Sequence, residues 1–314
     1  MNDFSIEFTI FIWGKHGKSF IYQSLISLSR MDYPKDRFEI IFIDNSFDMK
    51  RKNTAETVAL ENNLRLRYIK ANDMNVSQAL NRSLKFGRGK FFVFTHDDCV
   101  FPPQWLNIIH KNLPGDYVGV FGGPDVSISK DTFIERCYDY VISSSLVSAG
   151  LRNKKSPFSA HYYPRMWNMV IPKDVIHRVG RFNETLNYSQ DIDMMNRIEK
   201  IGYQIKYDAG AFVWHHRVTT LGSLLKKDIA LGSESYLYGI KKRPYALLTF
   251  SLFFVLTSLV MSFWLKELLF IVGIPWCIYF LLLCVIGFHA FLKLRNFLAL
   301  FVIPTFVFLI HFSK

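Results

Sequence analysis

Phe91–Leu106 reads FFVFTHDDCVFPPQWL, and the fold turns on its first half. Four consecutive apolar residues, Phe91 to Phe94, run through Thr95 into His96, Asp97 and Asp98. A short unbroken apolar run that stops at polar residues is the pattern of a strand covered on both faces. Working outward toward the N-terminus, the same kind of run recurs at Phe38–Asp44 (FEIIFID) and Glu7–Trp13, with a shorter one at Leu66–Ile69. Between them lie stretches of helical character. Phe20–Arg30 spaces Ile21, Leu25 and Leu28 along one face, and Thr54–Asn63 and Val76–Lys85 follow the later strands. Strands alternating with helices predict an α/β fold with a doubly wound, mostly parallel sheet. In such a sheet ligands sit beyond the carboxyl ends of the strands. The residues to inspect are therefore Trp13, Asp44, His96, Asp97 and Asp98.

The other end of the 314-residue chain has a different character. From Tyr245 to Lys314 the only formal charges are Lys266, Glu267, Lys293, Arg295 and Lys314. Tyr245–Trp264 is an uncharged run of 20 residues, the length that spans a hydrocarbon core of about 30 Å. Leu268–Leu292 is a second apolar run, interrupted by Pro275, and Phe297–Phe312 is a shorter third that contains Pro304. The expected organisation is a soluble domain over residues 1–243, with 218–243 as an interfacial helix, and a transmembrane region of two or three helices over 244–314. The interfacial segment carries Leu221, Leu225, Ile229, Leu237 and Ile240 beside Lys226, Lys227, Lys241 and Lys242. It reads equally as a packing helix of the domain. Basic residues crowd the N-terminal side of the first run, which places the soluble domain in the cytosol. The first residues, MNDFSIEFTIFIWGKHG, carry acids before a short apolar run and do not form a signal peptide.

The net charge of +12 suits a protein lying against anionic lipid. Nucleic acid is not an expected partner, since no recognised binding motif or long basic run accompanies the charge. The cysteines Cys99, Cys137, Cys277 and Cys284 lack metal-site spacing and read as reduced structural thiols. Gly14–Ser19, GKHGKS, imitates a phosphate-binding loop, but only Lys15 and His16 separate Gly14 from Gly17. The phosphate-binding pattern needs four residues there, so a P-loop NTPase is excluded.

Three constellations could carry chemistry. Asp97 and Asp98 at a strand end repel unless a cation or solvent offsets them; they form either a divalent-cation site or an exposed turn. Asp191, in SQDID, opens an amphipathic helix with Met194, Met195, Ile198 and Ile201. It is either a helix cap or a general base; Asp193 reads as a cap. Finally, FVWHHR (Phe212–Arg217) ends an apolar strand on two histidines, either structural or metal-binding.

In this order, these pieces resemble glycosyltransferase family 2, the inverting enzymes of the GT-A fold. The resemblance spans roughly Glu7 to Gly239. It rests on YPKDRFEIIFIDNSFD, NVSQALNRSLKFGRGKFFVFTHDDC, FGGPD, WNMVIPKDVIHRVGRFNE, QDID and WHH. It implies that Asp44, Asp97 and His96 bind a nucleotide-sugar donor, and that Asp98, with Asp97 and His215, holds a divalent cation, Mg2+ or Mn2+. Asn168 and Gln190 would face the acceptor, and Asp191 would be the base. The expected activity is metal-dependent, inverting transfer of a sugar to a hydroxyl of a lipid-linked or cell-surface glycan acceptor at the cytosolic membrane face. Two departures from the family pattern stand out. His96 replaces an aspartate and Gln190 a glutamate. A membrane-bound nucleotide-sugar-binding protein of the same fold with altered catalysis is the alternative.

Overall fold

Strands apolar at every position need cover on both faces, and the computed structural model supplies it. The structure describes residues 6–14, 18–113, 118–128, 132–144, 163–216 and 269–312, with 222, 226, 229, 230, 233 and 234 between the last two blocks. The chain divides into two compact units. The first is Met1–Ser129 with Tyr162–Arg217, and the second is Lys130–His161 with Val218–Lys314.

The first unit opens with β1 (Phe8–Gly14), α1 (Lys18–Ser29), β2 (Phe38–Asp44), α2 (Met49–Glu61), β3 (Leu66–Lys70), α3 (Val76–Leu84) and β4 (Phe91–His96). After β5 (Cys99–Val100) come α4 (Trp105–Asn112), β6 (Val118–Gly122) and β7 (Asp125–Ser127). Helix α5 (Phe133–Ser143) belongs to the second unit. The first then resumes with β8 (Met169–Pro172), α6 (Lys173–Val179), α7 (Gln190–Lys200), β9 (Gln204–Tyr207) and β10 (Val213–His215).

Seven strands form one sheet in the order β3-β2-β1-β4-β8-β6-β9. The pairs β1–β2, β1–β4, β2–β3 and β6–β9 are parallel. Strand β8 is antiparallel to both its neighbours. The sheet is therefore mostly parallel, as expected, with one reversal that periodicity does not reveal. Every residue of β1 and β2 is buried. Alternation sends Phe8, Ile10, Ile12, Phe38, Ile40 and Phe42 into one core and Phe11, Trp13, Ile41 and Ile43 into the other. Fully burying such a side chain is worth roughly 1.5–3 kcal/mol, so a one-residue slip of register is strongly disfavoured.

The register lines up the strand ends. Gly14 pairs with Asp44, and Trp13 with His96. The chain runs from β1 outward to β3 on one side and returns as β4 on the other, which makes this end a topological switch point. A smaller sheet, β5-β10-β7, borders it.

Helix α2 begins five residues before the expected Thr54, because Asp48 caps it by accepting from the Lys50 amide. Helix α3 opens on a capping box between Asn75 and Gln78. Polar residues at its start and on its buried face anchor the loop that leads into α7. Asn81 exchanges hydrogen bonds with the backbone of Phe182 at 2.8 and 3.0 Å, and Asn75 donates to Glu184 O at 2.7 Å.

In the second unit, α5 packs Cys137, Tyr140 and Val141 against α8 (Leu269–Leu294) and α9 (Ala299–Phe312). A Cβ on Gly287 would lie 2.8 Å from Leu300 O and from Pro304 Cγ, so the close approach of α8 and α9 requires glycine there. Helix α8 continues through Pro275 and α9 through Pro304. Phe280, Leu281, Val285, Phe288 and Leu292 of α8 point outward and are exposed. Trp276–Leu294, 19 residues with mean hydropathy 2.1, is long and apolar enough to cross a membrane, while Ala299–Leu309 is shorter. The Tyr245–Trp264 run and nearly all of 218–243 lie outside the described residues.

Candidate active site

Strand β4 carries its polar residues past the edge of the sheet, and alternation decides where each one points. His96 and Asp98 fall on one side, and Asp97 falls on the other. Asp97 is fully buried; its amide donates to Trp13 O at 3.0 Å and its Oδ2 accepts from Arg51 Nη2 at 2.6 Å. The same guanidinium lies 3.4 Å from Asp44 Oδ1 and stacks over the Phe42 ring at 5.4 Å. Asp44 also accepts from the Ser46 amide at 3.1 Å and from Tyr68 Oη at 3.1 Å. Burial, then the Asp44 charge, pushes the Tyr68 phenol up to about 12, so it remains a donor. Asp44 and Asp97 thus meet at one buried cation.

Sequence reasoning passed over Arg51 because it sits in the exposed-looking run MKRKN. A signal was present nonetheless. Arg51, Ala55, Val58 and Ala59 share the buried stripe of α2 at helical spacing. At the facing strand end, a Cβ on Gly14 would come within 2.4 Å of Arg51 Nη2, so a larger residue there would displace the guanidinium from its carboxylates.

On the other side of β4, His96, Asp98 and His215 bring one ligand atom each to within 4.8 Å of one another. The small sheet makes this meeting possible. Strand β10 pairs His215 with Cys99 of β5 and with Ser127 of β7. The His216 amide then donates to Asp98 O at 2.9 Å. His215 Nε2 lies 3.3 Å from Asp98 Oδ2 and its Nδ1 3.1 Å from Asp125 Oδ2. Burial pulls the His215 pKa down, but the Asp98 charge and the contacts with Asp125 outweigh it, and the net shift is upward.

The residues present fit a divalent cation. Cis ligands around an ion with bonds of about 2.1 Å lie about 3 Å apart, close to the Asp98–His215 separation. Two imidazoles and a carboxylate suit a first-row ion such as Mn2+. Asp125 holds the far nitrogen of His215, as carboxylates commonly do behind histidine ligands. His96, expected beside the donor, joins this group, and Asp97, expected in it, turns to Arg51. Asp125 lies in the quoted FGGPD segment, where no role was foreseen for it.

The Trp167 ring stands 5.3 Å from His215 and 6.1 Å from His96. Over it, at 5.4 Å, lies the guanidinium of Arg165, whose Nε is 2.9 Å from Asp191 Oδ2. Asp191 is buried in the first turn of α7, where the helix dipole favours a carboxylate. Ser189 is the N-cap, and Asp191 Oδ1 accepts from the Ile192 amide at 2.8 Å. Asp193 is not a cap; it pairs with Arg197 one turn on at 2.8 Å.

Gln190 is buried, and its Oε1 has no hydrogen-bond partner among the described residues. Asn168 is buried too. It accepts from Trp105 Nε1 at 3.2 Å and donates to Ala211 O at 2.7 Å, so its amide ties β8 to the approach to β10. A continuous set of contacts thus runs from Asp44 through Arg51 to Asp97, and from Asp98 through His215, Trp167 and Arg165 to Asp191.

Comparison with known proteins accords with this arrangement. A profile of glycosyl transferase family 2 matches residues 14–177. Glycosyltransferase AglE of Haloferax volcanii is 24% identical over 216 residues, 68% of this chain and 67% of that protein. The uncharacterized glycosyltransferase RP339 of Rickettsia prowazekii is 24% identical over 203 residues, 62% of this chain and 58% of its own. Another relative, from Rickettsia felis, is matched over only 30% of its length.

Among solved structures, the mannosyltransferase PcManGT of Pyrobaculum calidifontis, in complex with GDP-Man and Mn2+, aligns with a TM-score of 0.60. The identity is 14%, over 97% of this chain and 85% of that one. TarS 1–349 of S. aureus with UDP-GlcNAc aligns with a TM-score of 0.52 and 14% identity, over 72% and 64% of the two chains. These likenesses carry the GT-A-like fold. With more than half of its residues matched by the family profile and its strand-end acids arranged as described, the chain belongs to glycosyl transferase family 2.

Proposed function

We propose that the protein is a metal-dependent, inverting glycosyltransferase that moves a sugar from a nucleotide-sugar donor to a hydroxyl acceptor. One observation carries the reading. The His96–Asp98–His215 group and the Arg165–Asp191 pair flank a single indole ring, that of Trp167. A cation site and a candidate base are therefore neighbours at the strand ends. The structural neighbours bound to GDP-Man with Mn2+ and to UDP-GlcNAc support a donor of this class.

In this reading Asp44 and Asp97, held by Arg51, receive the nucleoside, and His96, Asp98 and His215 hold Mg2+ or Mn2+. The cation supplies charge stabilisation for the departing diphosphate. Asp191 accepts the proton of the acceptor hydroxyl as that oxygen attacks the anomeric carbon. The bond to the nucleoside diphosphate breaks on the opposite face, and the configuration inverts. Gln190 Oε1, without a hydrogen-bond partner among the described residues, is an acceptor for a sugar hydroxyl beside the base, and Asn168, tied to Ala211 O, is assigned to the same acceptor side.

We assign residues 1–243 to catalysis and 244–314 to a membrane anchor. The exposed apolar face of α8 supports that anchor, and the basic residues before it favour a cytosolic catalytic domain. The acceptor is then lipid-linked or a cell-surface glycan.

The test uses full-length protein in detergent. UDP- and GDP-sugars are offered with Mn2+ or Mg2+, nucleoside diphosphate release is measured, and the product anomer is read by NMR. Asp191→Asn keeps the shape of the side chain but not its basicity, so transfer should fall by about 10²–10⁴-fold while donor affinity holds within a few-fold. A variant that transfers at the wild-type rate places the base elsewhere. Donor binding by the wild type without any turnover favours the altered binding protein.

A further inference from the structure

We propose that Arg165 is a donor-responsive latch on Asp191, an inference that rests on Asp191 being the base. Asp191 is 2% exposed, and both its oxygens face protein donors. Oδ1 takes the Ile192 amide at 2.8 Å; Oδ2 faces Arg165 Nε at 2.9 Å and the Met166 amide at 3.4 Å. A general base must bring a lone pair within about 2.6–3.2 Å of the hydroxyl it deprotonates. In this arrangement Arg165 stands where that hydroxyl has to arrive, so the base is covered.

The cover is loosely held. The Arg165 Nε–H does not point along the contact with Asp191. It is a buried donor with no hydrogen-bond partner among the described residues, so the pair is held by charge rather than by an aligned hydrogen bond. The rest of the guanidinium rests on the Trp167 ring, and the side chain retains 21% of its exposure. The same ring also neighbours His215 and His96. A diphosphate bound at the cation group would bring anionic oxygens beside Trp167, the ring on which the guanidinium rests. Phosphate offers a guanidinium two parallel charge-assisted hydrogen bonds, including a partner for the unspent Nε–H. Arg165 moves to the phosphate, Oδ2 of Asp191 is uncovered, and the acceptor hydroxyl can reach it. The base is armed only when the donor is in place, and departure of the nucleoside diphosphate returns Arg165 to Asp191.

A double-mutant cycle tests this in the full-length protein, with UDP–Mn2+ and GDP–Mn2+ as probes. Arg165→Met, Asp191→Asn and the double variant are compared by thermal unfolding with and without nucleotide. Without it the two substitutions should be non-additive, because the residues touch. With it they should become additive, because the pair has parted. Arg165→Met should also weaken nucleoside diphosphate binding by about 10- to 100-fold, the range for a hydrogen bond to a charged group. Arg165→Lys should recover part of that loss. Equal coupling with and without nucleotide overturns the latch and leaves a structural ion pair. Unchanged nucleotide affinity in Arg165→Met overturns it as well. Wild-type protein that binds neither probe contradicts the donor reading itself, which separates the two failures.

Discussion

Arg51→Met would remove a buried cation that serves two buried carboxylates. Arg51 and Asp44 are each 1% exposed and Asp97 is 0% exposed, and the guanidinium approaches Asp97 to 2.6 Å and Asp44 to 3.4 Å. Methionine keeps much of the volume and the contact with Phe42, so the loss is electrostatic rather than a cavity. Breaking a buried pair from one side typically costs about 3–5 kcal/mol, because the remaining charge is stranded. Asp44 keeps its bonds from the Ser46 amide and Tyr68 Oη, so the whole of that range is expected rather than its upper end. For a unit of this size each kcal/mol moves Tm by about 2–4 °C, which makes the expected fall roughly 6–20 °C.

The assay is thermal unfolding in detergent, monitored in the first unit. Adding Asp97→Asn to Arg51→Met neutralises one of the stranded carboxylates and should recover several degrees, a non-additivity that the single variants do not show. A fall below about 2 °C for Arg51→Met would show that the carboxylates are relieved by water or another group. Strict additivity with Asp97→Asn would show that Arg51 and Asp97 do not share the interaction drawn between them.

Other outcomes follow from the same geometry. Asp125→Asn leaves His96, Asp98 and His215 in place but replaces the carboxylate behind His215, so if that group takes Mn2+ as proposed, the affinity read by electron paramagnetic resonance should drop about 10- to 100-fold; an unchanged affinity would detach Asp125 from the cation group. Asp98→Asn should weaken metal-dependent nucleotide binding further, since a neutral amide is a poorer ligand for a hard cation. Burial against α8 and α9 pushes the Cys137 thiol up to about 11, so at pH 8 its alkylation should run about 100-fold slower than in the unfolded chain and accelerate as pH approaches 11. Full-length protein should stay with membranes through a carbonate wash; release into the soluble fraction would argue against α8 as a span.

Strands β1–β4 were legible because their pattern is local. An apolar run ending in Asp44, or in His96-Asp97-Asp98, announces both a two-sided strand and the place where it stops; the register of β1 against β2 and β4 came from the structure. The apolar character of α8 and α9 was legible for the same reason. What the sequence left open was which polar group meets which. Arg51 and Asp97 are 46 residues apart, Asp125 and His215 are 90 apart, and Asp98 and His215 are 117 apart.

No periodicity links positions at such separations. They meet because β4 returns beside β1 on the side away from β2, and because the small sheet draws β10 between β5 and β7. Adjacent residues also received different partners. Alternation along an extended chain gave His96 and Asp98 to the cation group and Asp97 to Arg51, where the family pattern alone grouped Asp97 with Asp98. The sequence by itself determined the layers, the strand ends and the acids that stand there. Only the tertiary structure decided which of those acids are held by arginines and which face histidines, because charge pairing depends on distances of a few ångströms that local sequence does not encode.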